Sequence, residues 1–169
     1  MHLIRTIFVV AAVLVANLAF AAGKVAVFDS QAAILNTDFA KKRLTDLQKD
    51  PEFSSMRAKF EGLKSDLQSL NKEAETNGMT WSSEQVAAHR KKMEYKNADL
   101  QLIVKKLQAE ESAAVQRIVQ ELSPKVKTAI NEVITSEGID LLLHSKVAFY
   151  VNPDLDITTK ITEKLNKAK

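Results

Sequence analysis

A heptad stripe of apolar residues runs through the middle of this chain and advances in steps of three and four. Its members are Phe53, Met56, Phe60, Leu63, Leu67, Leu70 and Ala74. A second heptad stripe mirrors the first about Thr80, and its apolar members are Val86, Met93, Leu100, Val104 and Leu107. Because mirrored stripes can pack face to face, the pattern predicts two antiparallel helices in a coiled-coil hairpin.

The mirror also predicts the register and size of this hairpin. It places Phe60 opposite Leu100 and Leu67 opposite Met93. At about 1.5 Å of rise per residue, an arm of about 38 residues measures roughly 55 to 60 Å. The predicted packing residues of the arm are Phe53, Met56, Phe60, Leu63, Leu67, Leu70, Met93, Leu100, Val104 and Leu107.

The predicted tip of the hairpin lies near residues 77–82, where Asn77-Gly78 forms the turn. Ser82 to Gln85 has the sequence of a capping box for the second helix. Met79 and Trp81 offer large, adaptable apolar surfaces that could contact a client protein at this tip. Trp81 fits a second interpretation equally well, in which it packs on Val86 as a hydrophobic staple.

Two prolines interrupt the helical pattern of the arm. Asp50-Pro51 has the sequence of an N-cap followed by a proline at the first helical position, so we expect a kink there. At Ser123-Pro124 the proline removes a backbone donor, which predicts either a bend or a fresh helix start.

The first 21 residues have the pattern of a cleaved secretory signal. Arg5 precedes an apolar run, and Ala19-Phe20-Ala21 places small residues where a signal peptidase requires them. An uncleaved membrane anchor is the alternative, but a spanning helix needs about 20 apolar residues and this run is shorter. We therefore predict cleavage after Ala21 and an exported mature chain that does not span a membrane.

Composition argues against a disulfide-stabilised protein and against a nucleic-acid-binding protein. The sequence has no cysteine, so stability must come from packing or association rather than from disulfides. Arg5 is the one charged residue of the signal, so the net charge of +3 falls to +2 in the mature chain. That balance does not favour nucleic acid as a partner, because nucleic-acid-binding proteins present a concentrated basic face.

A small body is predicted on either side of the arm. Residues 24–29 read as a strand, after which Asp29 or Ser30 caps a brief helix through Leu35. Beyond the arm, residues 125–136 continue as a helix, and Gly138 sits where a C-terminal cap glycine belongs.

In the C-terminal part of the body, the sequence predicts two strands followed by a last helix. The apolar runs 139–143 and 147–151 flank a short polar loop, which predicts a β-hairpin. Asp156 is expected to cap a final helix that ends at Lys167. The predicted buried face of this helix comprises Ile157, Ile161 and Leu165.

The sequence therefore predicts an α+β protein in which a long helical hairpin is inserted between the first and second strands of a small β body. The predicted segments are the signal at 1–21, body residues at 22–38 and 123–169, and the arm at 39–122. Open sheet edges favour self-association over a monomer whose terminal helices cover the sheet. The residues predicted to form the subunit interface are Val25, Val27, Leu141, Leu142, Leu143, Val147 and Phe149.

No constellation of residues indicates catalysis, a cofactor or a metal. His89 and His144 are far apart in the chain, and no histidine pair has the spacing of metal ligands. The four glycines are too scattered for a phosphate loop, and no serine or cysteine stands in a nucleophile motif. Glu110-Glu111 could form an acid and base pair or a cation site, but a solvated helix face explains them better. We expect a protein that is not an enzyme.

The whole layout resembles the Skp/OmpH family of periplasmic chaperones. The resemblance rests on the strand Lys24 to Asp29, the long charged hairpin, the segment Glu137 to Leu143, and Asp156-Ile157-Thr158 at the start of the last helix. It implies a homotrimer in which strands of three subunits form a barrel-like β body and three arms surround a cavity. The cavity would hold unfolded outer-membrane proteins in the periplasm without ATP.

One departure from that family is the charge of the arm. Arms of the family are often strongly basic, whereas residues 41–121 contain 15 basic and 13 acidic side chains. Electrostatic capture of clients is therefore expected to be weaker here. The alternative function is an envelope scaffold or adapter, whose arms dock permanently on one other protein.

Overall fold

A computed structural model describes residues 23–168, so the predicted signal lies outside the described residues. Helices make up most of this part of the chain, and two short strands accompany them. Short 3-10 turns occupy Gly78–Thr80, Ser145–Val147 and Pro153–Leu155. The strands and α-helices are β1 (Val25–Phe28), α1 (Ser30–Leu35), α2 (Asp38–Lys49), α3 (Pro51–Asn77), α4 (Ser83–Glu137), β2 (Leu141–His144) and α5 (Thr158–Lys167).

The chain divides into two compact units. The arm unit is Asp38–Glu121, and the body unit consists of the described residues before Asp38 together with those after Glu121. The arm unit contains α2, α3 and most of α4, while the body unit contains both strands. The arm therefore enters the sequence between β1 and β2, as the heptad pattern and the flanking strands predict.

The body sheet pairs the two strands in parallel. Val25 lies opposite Leu141, and Phe28 lies opposite His144. Parallel strands need a long crossover connection, and here the connection includes the whole arm. Val27 also forms an isolated bridge with Asp156, and the backbone N–H of Ile157 donates to the Val27 carbonyl at 3.0 Å. The chain that leads into α5 is thereby fixed to the other edge of β1.

The predicted β-hairpin of residues 139–143 and 147–151 is wrong. After β2 the chain enters a 3-10 turn, in which the Lys146 N–H donates to His144 Nδ1 at 3.1 Å and the Ala148 N–H donates to the Ser145 carbonyl at 3.3 Å. This turn does not reverse the chain onto β2. The strand partner of β2 is instead β1, which lies more than 100 residues earlier in the sequence. Residues 148–152 form no strand in the part of the chain that the structure describes.

Local capping signals account for most helix ends. Asp50 Oδ1 accepts the backbone N–H groups of Glu52 and Phe53 at 2.9 and 3.0 Å, which confirms the predicted break between α2 and α3. Gly138 has a φ of +62°, a left-handed conformation that ends α4 as predicted. The carboxylate of Asp156 accepts the Thr158 N–H at 2.8 Å at the start of α5.

Pro124 does not start a new helix, because α4 continues through it from Ser83 to Glu137. A proline within a helix removes one backbone hydrogen bond. Leu122 and Val126, on either side of it, are each only 5% exposed. We attribute the continuity of the helix to this burial of its apolar face in the body unit.

In the core of the body, α1 packs against α5. Ile161 is fully buried, and Ile34 and Ile157 are each 2% exposed. The buried Thr162 hydroxyl donates to the Ala33 carbonyl at 3.0 Å, so this polar group does not remain unpaired in the core. The predicted buried face of the last helix, Ile157, Ile161 and Leu165, is confirmed.

Two lysines meet one carboxylate at the end of α4. Lys160 Nζ lies 2.6 Å from Glu137 Oε1, and Lys24 Nζ lies 3.0 Å from Glu137 Oε2. The hydrogen bond from Lys160, followed by that from Lys24, lowers the pKa of Glu137 below its ordinary value of 4.5. At the start of α1, the Ala32 N–H donates to the side chain of Asp29 and lowers its pKa below 3.8.

These two carboxylates predict a loss of stability in acid. Since their pKa values are lower in the folded state, the unfolded chain binds more protons, and stability decreases as the pH falls. The contribution of Glu137 should be complete above its ordinary pKa of 4.5 and disappear as the pH falls through the lowered value. Thermal unfolding followed by circular dichroism between pH 7 and pH 3 measures this decrease. A Glu137→Gln variant should depend less on pH, and an unchanged acid dependence would contradict the assignment.

Candidate functional site

The predicted packing residues of the arm differ in their burial. All of them lie in the arm unit, on α3 or α4. The buried members are Phe53, Leu63, Leu67 and Leu70. The half-buried members are Met56, Phe60, Met93, Leu100, Val104 and Leu107.

Two contacts show how α3 and α4 run past each other. Lys96 Nζ lies 2.6 Å from Asp66 Oδ2, and His89 Nε2 lies 3.0 Å from the backbone carbonyl oxygen of Leu70. Both contacts join residues that are nearly equidistant from Thr80. The helices are therefore antiparallel with a register close to the predicted mirror. The pairs of Phe60 with Leu100 and of Leu67 with Met93 stay predictions.

Sequence reasoning missed part of the packing face of α4. Ile103 is only 5% exposed, and His89 and Lys96 are half-buried. With Met93 and Leu100 between them, these residues also follow a three-four alternation. This spacing could have indicated the packing face, but a search for apolar residues passes over the polar His89 and Lys96.

At the tip, Trp81 and Met79 have different surroundings. Trp81 is half-buried, and its ring centroid lies 4.6 Å from that of His89. The predicted capping box is confirmed, since the Ser82 N–H donates to Gln85 Oε1 at 2.8 Å and the Gln85 N–H donates to Ser82 Oγ at 3.2 Å. Met79 is 100% exposed. The proposed contact of the tip with a client stays a prediction.

The residues predicted for the subunit interface divide by exposure. Val27 is buried at 4%, and Leu142 is half-buried. Val147 is 72% exposed and Phe149 is completely exposed. We use the name "apolar set" for the exposed large apolar residues of the two strands and of residues 145–151, which are Val25, Leu141, Leu143, Val147, Phe149 and Tyr150.

Two histidines and many carboxylates lie within residues 23–168. Within that range, no group of three or more histidine, aspartate and glutamate side chains is placed to hold a metal ion. His89 contacts Trp81, while His144 caps the turn after β2. No helix among these residues has the length and apolar character needed to cross a bilayer. The described residues do present two apolar features, the buried residues of the arm and the exposed apolar set.

Comparison with known proteins finds similarity along nearly the whole chain. Residues 24–165 match the sequence profile of the family described as outer membrane protein (OmpH-like). A Skp-like protein of Pseudomonas aeruginosa is 29% identical over 163 residues, which cover 96% of each chain. A crystal structure described as an OmpH-like outer membrane chaperone of Caulobacter crescentus has 20% identity and a TM-score of 0.49. That match covers 87% of this chain and 86% of the other.

Proposed function

Because this chain belongs to the OmpH-like outer membrane protein family, we propose that it is an ATP-independent holdase chaperone of the periplasm. Its clients are unfolded outer-membrane proteins, which it keeps soluble until they reach the membrane. The observation that carries this proposal is the family match over residues 24–165. The similarity to a Skp-like protein over 96% of both chains supports it further.

Assembly is the second part of the proposal. Within residues 23–168, β2 has a strand partner on one side only, and an exposed edge tends to pair with another chain. The apolar set lies on and just after the two strands, and Phe149 is completely exposed in the single chain. Large exposed apolar surfaces mark interaction sites in soluble proteins. We propose that the apolar set becomes the interface of a homotrimer with a barrel-like body.

The proposed mechanism is enclosure of the client by the arms of the trimer. The arm residues 41–121 have 15 basic and 13 acidic side chains, so neither charge dominates. Many weak contacts of mixed character suit a protein that binds diverse unfolded chains. No nucleotide is required, and the scattered glycines of the sequence provide no phosphate loop.

The direct test is an aggregation assay with the chain from Ala22 onward, which is the predicted mature chain. An outer-membrane β-barrel protein is diluted out of urea, and its light scattering is followed with and without equimolar trimer in the absence of nucleotide. We expect suppressed scattering, reduced only partly by added salt because long-range steering by nearly neutral arms is modest. Unchanged scattering, with one stable partner recovered from the cell envelope, would favour the scaffold instead.

A further inference from the structure

A cleft opens in the arm unit where α2 breaks from α3. It has a volume of about 560 Å³. That volume is within the usual range for sites that hold a small molecule or a few side chains. We call its apolar lining residues the floor, and they are Leu47, Phe53, Met56, Ala114 and Ile118.

The floor combines rigid and accessible parts. Phe53 and Ile118 are only 2% and 3% exposed, so they are fixed by packing. Leu47 and Met56 are half-buried and lie where an incoming side chain could reach them. Methionine adapts its shape to different apolar partners. The floor can therefore accept a large apolar side chain of varied form.

The charged lining residues of the cleft, which we call its rim, are mostly acidic. The rim consists of the carboxylates of Asp46, Asp50, Glu52, Glu110 and Glu121, with the guanidinium groups of Arg43 and Arg117. The rim thus holds five of the 13 acidic side chains of residues 41–121 but only two of the 15 basic ones. A negative site is concentrated in an arm that is slightly positive as a whole.

Some of these carboxylates are already used within the arm unit. Asp50 caps α3, and Glu121 Oε2 lies 3.7 Å from the guanidinium of Arg43. The side chains of Asp46, Glu52 and Glu110 accept no hydrogen bond and form no ion pair within residues 23–168. These three remain available to a ligand.

We propose that this cleft binds a segment of an unfolded client in which a large apolar side chain is flanked by lysine or arginine. The inference rests on the proposed function for the source of the segment. The apolar side chain occupies the floor, and the cations on either side reach the free carboxylates of the rim. Lysine and arginine suit this arrangement because their aliphatic stems can lie on apolar surface while their charges stay at the rim.

The negative charge of the rim should make the cleft discriminate between client segments by their charge. Complementary charges contribute chiefly to specificity and to the rate of association, and like charges oppose binding. A segment with aspartate or glutamate beside the same apolar residue should therefore be rejected. Neutral apolar segments should bind more weakly than cationic ones.

The test uses the mature chain and two fluorescent peptides. In the first, a central phenylalanine is flanked by lysines, and in the second, glutamates replace the lysines. Fluorescence anisotropy should show saturable binding of the cationic peptide, which added salt weakens, and little binding of the acidic one. Equal binding of the two peptides, or binding of neither, overturns the proposal.

Matched variants locate the binding. Asp46→Asn with Glu110→Gln removes two exposed rim charges and should weaken the cationic peptide roughly fivefold. The control, Glu73→Gln with Glu75→Gln, removes the same charge from exposed positions of α3 outside the cleft and should leave the affinity unchanged. Equal effects of the two double variants would show a general charge effect and overturn the proposal.

A peptide whose phenylalanine is replaced by a benzophenone residue identifies the contact directly. Cross-linking should occur at Met56, on the cleft floor, rather than at the fully exposed Met79. Cross-linking confined to Met79 overturns the proposal. So does a result in which neither peptide binds and the rim variant changes sedimentation, since the cleft then takes up a second copy of this chain. If the protein fails to suppress aggregation but still binds the cationic peptide selectively, the proposed chaperone function is wrong and the proposed binding site in the cleft stands.

Discussion

A chain in which residues 47–112 are replaced by a short flexible linker should lose the proposed protection of unfolded outer-membrane proteins. The deletion removes α3 and most of the arm part of α4. Without arms, the proposed trimer has nothing that encloses a client, so light scattering should return to the level without chaperone. The body unit should remain folded, because the deletion spares the packing of α1 against α5 and the sheet that joins β1 to β2.

A matched variant separates arm length from arm presence. Deleting residues 64–70 together with 90–96 removes one heptad from each helix and preserves the mirror about Thr80. The arm becomes about 10 Å shorter at 1.5 Å of rise per residue. We expect partial protection from this chain.

Sedimentation of the armless chain must accompany the aggregation assay. A folded trimer that no longer protects supports enclosure by the arms. An armless trimer that protects as well as the full chain would contradict enclosure and favour the scaffold. A folded armless monomer would show that the arms, and not the body alone, hold the subunits together.

The arm was predictable because its signals are local. Each of its caps needs only residues within one turn of helix, as Asp50 and the pair Ser82 and Gln85 show. The heptad stripe of α3 likewise depends on spacing along one helix. The spacing of residues did not determine which face of α4 packs against α3. Two heptad stripes of α4 have the same period and share Met93 and Leu100, so spacing alone does not choose between them. The half-buried Lys96, whose Nζ lies 2.6 Å from Asp66 Oδ2, belongs to the stripe that was overlooked because two of its members are polar.

The sheet was harder to predict because its pairing is not local. Two apolar runs separated by a short polar loop have the pattern of a hairpin, yet Leu141–His144 pairs with Val25–Phe28 instead. Nothing in residues 139–151 alone distinguishes these two partners. The cleft at the α2–α3 break has the same origin, since its floor joins Leu47, Met56 and Ile118 from three helices. A sequence pattern read along one helix does not reveal such a site.

The segment after β2 provides the second large expected effect. Phe149→Asp should dissociate the proposed trimer and leave a folded protomer. Phe149 is completely exposed in the single chain, so it contributes no burial to the fold of its own subunit. In the trimer its ring is proposed to be buried, and an unpaired carboxylate in that place costs several kcal/mol. Since about 1.4 kcal/mol changes an equilibrium tenfold, dissociation should be favoured at least about a hundredfold.

Two control substitutions distinguish dissociation of the trimer from a general effect of added charge and from unfolding. Met79→Asp introduces the same charge at an equally exposed site on the tip of the arm, and it should leave the assembly intact. Ile161→Ala empties a fully buried position of the body core and should cost about 2–5 kcal/mol of folding stability. Sedimentation reports the assembly of each variant, and thermal unfolding reports its fold. An intact Phe149→Asp trimer would exclude this segment from the interface, whereas an unfolded monomer would show that Phe149 supports the fold of its own subunit.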